Sequence, residues 1–398
     1  TFITYAQCVM RYAYLLAVDL ATAADAALTN EHQAEGFAFW RILAPILATS
    51  DTSGTAYIES YFLPGATLNA EENYYCSTKA IIERAVHDLS GTYFTSVEAL
   101  GELQAAVDAG VNCYGGYVYE GIRYVSTSNV DKYFNISLDV AAIKVAIANS
   151  DWAQVGNIYN NPTFSTKSIR QLVYRDFTGE PYYDDMVAYY AEPYPINTIM
   201  EEVIAGDGIY GSTDEDYAAA RAELGEKFAM DAAAVWYMVH ELWQATQQAL
   251  DIDANEEPGK RPELVAGGQH SWDEAFALFV GTDTSASPFG RALKRASNFG
   301  TKDTAFNVNK IIMQAFVDGL DALNNNPTAV QGYSDTIFQH VTIIYLQGTL
   351  RYAYLLELDV ANGTPIREHQ AEGAAFFFIV APFVDQVDPS GAAYNQDL

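Results

Sequence analysis

The stretch FQHVTIIYLQGTLRYAYLLELDV, residues 338–360, decides the fold. Its apolar side chains recur at the 3.6-residue spacing that lines one face of an α-helix. The same period runs through YAQCVMRYAYLLAVDLATAADAAL (5–28), AMDAAAVWYMVHELWQATQQALDI (229–252) and VNKIIMQAFVDGLDAL (308–323). Residues 139–159 read as a short helical hairpin turning at Asn149, Ser150 and Asp151. Capping patterns place helix starts at Asn30 with Gln33, at Ser271 with Glu274, and at Thr364 followed by Pro365. Gly, Pro and Tyr gather in the connections, as in TGEPYYDDMVAYYAEPYP (178–195), and no alternating hydrophobic run calls for a major sheet. The expected class is all-α, an array of helical hairpins or bundles with long irregular loops.

Part of the opening stretch is written twice. RYAYLLAVD (Arg11 to Asp19) returns as RYAYLLELD (Arg351 to Asp359), an offset of 340 residues. NEHQAEGFAFWRILAPIL from Asn30 returns as REHQAEGAAFFFIVAPFV from Arg367, with its histidines offset by 337, so the intervening loop is three residues shorter. Duplication of a unit of about 340 residues explains matches this close. A fainter echo, HSWDEAFALFVG from His270 together with the segments around Lys79 and Lys310, suggests that each unit is built of two related halves. The division expected is a first helical half-unit at 1–135, a linking hairpin with Tyr/Pro-rich loops at 136–230, a second half-unit at 231–340, and the start of the next unit at 341–398.

Composition narrows the function. The chain carries 51 Asp and Glu against 21 Lys and Arg, a net charge of −30 that repels phosphate backbones and excludes nucleic acid as a natural partner. The longest unbroken apolar run, residues 374–384, is too short to span a bilayer, so membrane insertion is not expected. Three cysteines, Cys8, Cys76 and Cys113, lack the spacing of a zinc ribbon; one disulfide, Cys76 with Cys113, and one free thiol are expected. Asn135 (NIS) and Asn362 (NGT) are glycosylation acceptors if the chain is secreted. No dinucleotide turn, P-loop, nucleophile elbow or HExxH is written here, and the loop from Asp251 lacks the Gly and Glu of a calcium-binding EF-hand. Nothing marks an enzyme.

The repeated phrase EHQAEG carries the candidate chemistry. Three- and four-residue spacings put Glu31, His32 and Glu35 on one face of a helical turn, and Glu368, His369 and Glu372 repeat them. His270 with Asp273 and Glu274 approximates the pattern. One imidazole among carboxylates suits iron, manganese or zinc. Tyr12 and Tyr14, matched by Tyr352 and Tyr354, are further candidate ligands because phenolates can bind ferric iron. A structural role fits the same residues: acids offset the helix dipole, Glu274 closes a capping box, and His32 hydrogen-bonds across a helix pair. Lys79 and Lys310 are expected in ion pairs, and the stripes Phe37, Phe39, Trp40 and Phe376, Phe377, Phe378 in the core.

TLRYAYLLELD, EHQAEGFAFWRILAPIL, SWDEAFALFVG, GRALKRASNFG and the 139–159 hairpin resemble the algal iron-assimilating protein family, secreted or periplasmic proteins induced by low iron or high CO2. The resemblance implies an all-helical extracellular protein that binds iron and aids its uptake without catalysis. It also implies ligands in His-x-x-Glu and Glu-x-x-Glu motifs, which fall on His32 with Glu35 and His369 with Glu372, beside Glu31 and Glu368. At His270 the Glu is replaced by Asp273. The repeat supports a different expectation: units packing head to tail, with other copies of the chain as partners, into an extracellular fibre, sheath or appendage.

Overall fold

The computed structural model describes residues 2–50, 52–68, 74–89, 92–94, 97–101, 103–108, 117–207, 215–254 and 261–397. The chain is all-α. Among the described residues the only sheet is a two-stranded antiparallel hairpin, Tyr117–Tyr119 with Ile122–Tyr124. Residues 338–360 lie within the long helix Val330–Asn362, whose buried face carries Ile337, Val341, Ile344, Tyr345 and Tyr352 at the expected period.

Two compact units are each assembled from separated segments. One comprises Thr1–Asn129, Gln247–Asp273 and Val317–Val330; the other comprises Val130–Thr246, Glu274–Phe316 and Gln331–Leu398. In the first, the helices Phe2–Thr22, Ala26–Leu47, Thr52–Phe62 and Tyr74–Asp88 enclose a core around Val9, Leu16, Trp40, Leu43, Phe62 and Ile82. In the second, Glu215–Lys227 packs along Arg367–Val387, which buries Phe376, Phe377 and Phe378. The 139–159 segment is the expected hairpin, Ile136–Ala148 and Trp152–Asn160. Ser150 turns at φ 55° and Asp151 caps the second helix by accepting from the Gln154 amide.

The structure corrects four local readings. Helix Ala26–Leu47 starts at Asp25, whose carboxylate accepts from the Ala27 and Leu28 amides, so Asn30 lies inside the helix. Gln33, read as the partner in that cap, is buried and donates to the Tyr61 and Ala66 carbonyls instead. Ser271 and Glu274 sit within Arg261–Val280, where the amides are already engaged by the helix, and Thr364 belongs to a turn that ends the preceding helix. The segment 178–195, read as connection, holds the helix Pro181–Tyr190 and the start of Pro195–Ala205. Each begins at a proline, whose missing N–H costs nothing in the first turn.

Candidate functional site

The two copies of the repeated phrase fold into the same device. In each, a long helix ends in a paired-bond C-terminal turn with a left-handed residue just beyond it. Ala23 (φ 49°) donates to Leu20 O and Ala24 donates to Asp19 O; Gly363 (φ 67°) donates to Val360 O and Thr364 donates to Asp359 O. This turn sets an aspartate three residues before the helix cap in both copies. A histidine on the following helix meets it: His32 Nδ1 lies 2.7 Å from Asp19 Oδ2, and His369 Nδ1 lies 2.5 Å from Asp359 Oδ2.

The separation along the chain is 13 residues in the first pair and 10 in the second. The difference is absorbed as about one turn of helix. Ala26–Leu47 begins six residues before His32, whereas Arg367–Val387 begins two residues before His369. That the pair re-forms across a shortened connection shows that it does not follow from loop length alone.

A tyrosine from the first helix completes each device. The Tyr12 ring lies 6.3 Å from that of His32 and stacks on Phe39; the Tyr352 ring lies 5.8 Å from that of His369 and stacks on Phe376. The Tyr352 hydroxyl donates to Glu372 Oε1 at 2.7 Å, and Glu35 stands near enough to Tyr12 to raise the pKa of its phenol. Burial, followed by the neighbouring carboxylate, holds both phenols above their ordinary pKa and therefore neutral. The Asp359 carboxyl is held below its ordinary value by hydrogen bonds from His369 first and Thr364 second. The glycine ending EHQAEG has a packing reason: a Cβ on Gly36 would stand 2.0 Å from the Phe62 ring, and one on Gly373 would stand 3.3 Å from Tyr352.

The copies diverge at the second carboxylate. Glu35 is exposed, while Glu372 is buried and ion-paired to Lys227 Nζ at 3.1 Å. Lys227 also contacts Glu223, and Glu226 at 3.4 Å. Although burial works against its charge, these carboxylates raise its pKa. The chain beyond Lys227 winds as a π-turn, Phe228–Ala232, which carries the fully buried Asp231; Arg291 grips that carboxylate through Nε and Nη2, the latter at 2.8 Å. Arg295, one turn beyond Arg291, is 3 % exposed; its guanidinium faces the Tyr352 and Phe376 rings, and its Nε and Nη1 make no hydrogen bond among the described residues. Beside His369 opens a cavity of about 200 Å³, walled by Tyr189, Tyr190, Tyr352, Phe377 and Phe378.

The remaining predicted residues scatter. Glu31 and Glu368 are exposed. Tyr14 donates to the Ala105 carbonyl, and Tyr354 is 59 % exposed. Around His270 the pattern dissolves, because each side chain has its own partner. His270 Nδ1 meets Ser128 Oγ, and Glu274 pairs with Lys132 at 3.0 Å. Asp273, fully buried, accepts from the Tyr124 hydroxyl and from the amides and hydroxyls of Thr127 and Ser128. Burial raises the Asp273 pKa while these donors lower it, the role of a carboxylate that ties down a loop. Lys79 is buried against Glu83 whereas Lys310 is exposed, so their match in sequence is not one in environment.

Cys76 is disulfide-bonded, Cys8 is free, and Cys113 lies outside the described residues. Asn362 is exposed; the Asn135 amide oxygen accepts from the Thr282 hydroxyl. Of the loop from Asp251, residues 255–260 lie outside the described residues. Sequence reasoning missed Asp19 and Asp359 as site residues although they close both copies of the RYAYLL phrase. It also missed the Glu223, Lys227 and Arg291 cluster, which no local spacing announces.

A family model described as low iron-inducible periplasmic protein (Fea1) matches residues 94–385, a span that contains Tyr352, Asp359, His369 and Glu372. Neither the curated proteins nor the solved structures return a match. The match covers well over half of the sequence, and the chain belongs to the family of low iron-inducible periplasmic proteins.

Proposed function

We propose that this protein is a non-catalytic iron-binding protein of the periplasmic or extracellular space that takes up iron as cargo at its two Asp–His turns. The observation that carries the reading is the twice-built Asp–His pair, kept in place across connections of different length. A carboxylate on Nδ1 fixes the ring's orientation and favours the tautomer that leaves the Nε2 lone pair free, the support that metal-ligating histidines commonly have. Family membership agrees with a role under iron limitation.

The donor set fits an open site rather than a cage. Among the described residues no group of three or more His, Cys, Asp and Glu side chains is placed to hold an ion. Each turn instead offers one imidazole beside a tyrosine–glutamate pair, and phenolate and carboxylate oxygens suit a hard ferric ion. Water would complete the coordination, as befits an ion that is captured and passed on. Because the phenol must lose its proton and the imidazole must be neutral, binding weakens as pH falls.

Equilibrium dialysis against ferric citrate, followed by elemental analysis, tests the reading. Wild-type protein should take up one ion for each turn, and His32→Ala and His369→Ala should each remove one. Unchanged stoichiometry in the double variant would overturn the assignment.

A further inference from the structure

Away from the histidine turns, the second unit contains a cavity of about 150 Å³ that the iron reading does not use. Its wall is aromatic. Tyr182 packs edge-on to Trp236 and Phe338 and stacks on Phe383, so these rings form one continuous apolar surface, and the partly buried Trp243 stands with them in the lining. Three carboxylates share this lining with His240, Thr246, Gln331 and Ser334. Glu180 is buried and accepts from His240 Nδ1 at 2.8 Å, while Asp185 and the exposed Asp335 carry further carboxylates; no lysine or arginine belongs to the described lining.

Each class of occupant makes a different demand on such a wall. An anion meets three carboxylates and a chain of net charge −30. A neutral apolar molecule gains nothing from Asp185 and Asp335. A bare inorganic cation must replace its water with oxygen ligands on most sides, and beyond the three carboxylates the aromatic faces of this wall supply none. An ammonium carrying methyl groups satisfies both features, since its diffuse charge is attracted to ring faces and to carboxylates while its methyls fill the apolar space. We propose that this cavity binds a small organic cation of the quaternary-ammonium class, with Trp243 and Asp335 as accessible determinants.

The test titrates the full chain with choline at constant ionic strength, reading tryptophan fluorescence, beside its neutral isostere 3,3-dimethyl-1-butanol and beside potassium and magnesium chlorides. Choline should give a saturable change, with the isostere roughly tenfold weaker and the salts without effect. Trp243→Ala and Asp335→Asn should each weaken choline severalfold, the second at an exposed position where folding is not at stake. Equal binding of the isostere, an equal response to either salt, no saturable response, or choline binding untouched by both variants would overturn the assignment.

Discussion

Replacing Lys227 with methionine probes the buried charges behind Glu372. The ammonium stands among Glu223, Glu226 and Glu372, with its own side chain 5 % exposed and that of Glu372 10 % exposed. Methionine keeps the bulk and removes the charge, which leaves carboxylates buried without their counter-ion. Breaking a buried pair by deleting one partner costs about 3–5 kcal/mol. At roughly 2–4 °C per kcal/mol for units of this size, the melting temperature at pH 8 should fall by about 10 °C.

The pH dependence distinguishes this cause from lost packing. Burial already raises the Glu223 pKa, against the opposing pull of Lys227, and removing the lysine raises it further. A carboxyl whose folded pKa lies above its unfolded value destabilises the fold at high pH, and the penalty fades as pH falls through the folded pKa. The gap between variant and wild type should therefore narrow to a few degrees by about pH 4.5, measured by calorimetry on both proteins. A deficit equal at both pH values, or one below about 2 °C at pH 8, would refute the reasoning.

Other consequences follow from single residues. Ala23 holds a left-handed conformation (φ 49°) at the position where the second copy has Gly363, so Ala23→Gly should stabilise by about 1 kcal/mol in chemical denaturation. Asp131 has its pKa pushed up to about 6 by burial; Asp131→Asn should raise the melting temperature at pH 8 and have little effect near pH 3, below the unfolded pKa, where the wild-type carboxyl is largely protonated in both states. Asp359→Asn keeps a hydrogen-bond acceptor for His369 but loses the charge, and iron affinity at that turn should drop roughly 10- to 100-fold in calorimetric titration with folding intact.

What the sequence made legible was periodic or duplicated. Apolar spacing located the long helices and the 139–159 hairpin, because a buried helical face needs its side chains every three to four residues whatever it packs against. The duplicated phrase pointed to His32 and His369, and the quoted copies even ended on their aspartate partners. That partnership was hidden because it crosses a helix pair, and the acids within the phrase offered a nearer explanation. Cap positions were misread where a long-range bond won: Gln33 fits a local cap but is committed to Tyr61 and Ala66. The cluster joining Lys227, Glu372, Asp231 and Arg291 draws on three distant segments, so no spacing rule could assemble it.

The central claim, that the duplicated Asp–His turn is where iron binds, is tested most directly by anomalous diffraction at the iron edge from crystals of the full chain equilibrated with ferric citrate. The account predicts a peak within coordination distance of His369 Nε2 and a second beside His32 Nε2. Iron peaks found only elsewhere in the molecule, with both imidazoles unoccupied, would contradict it.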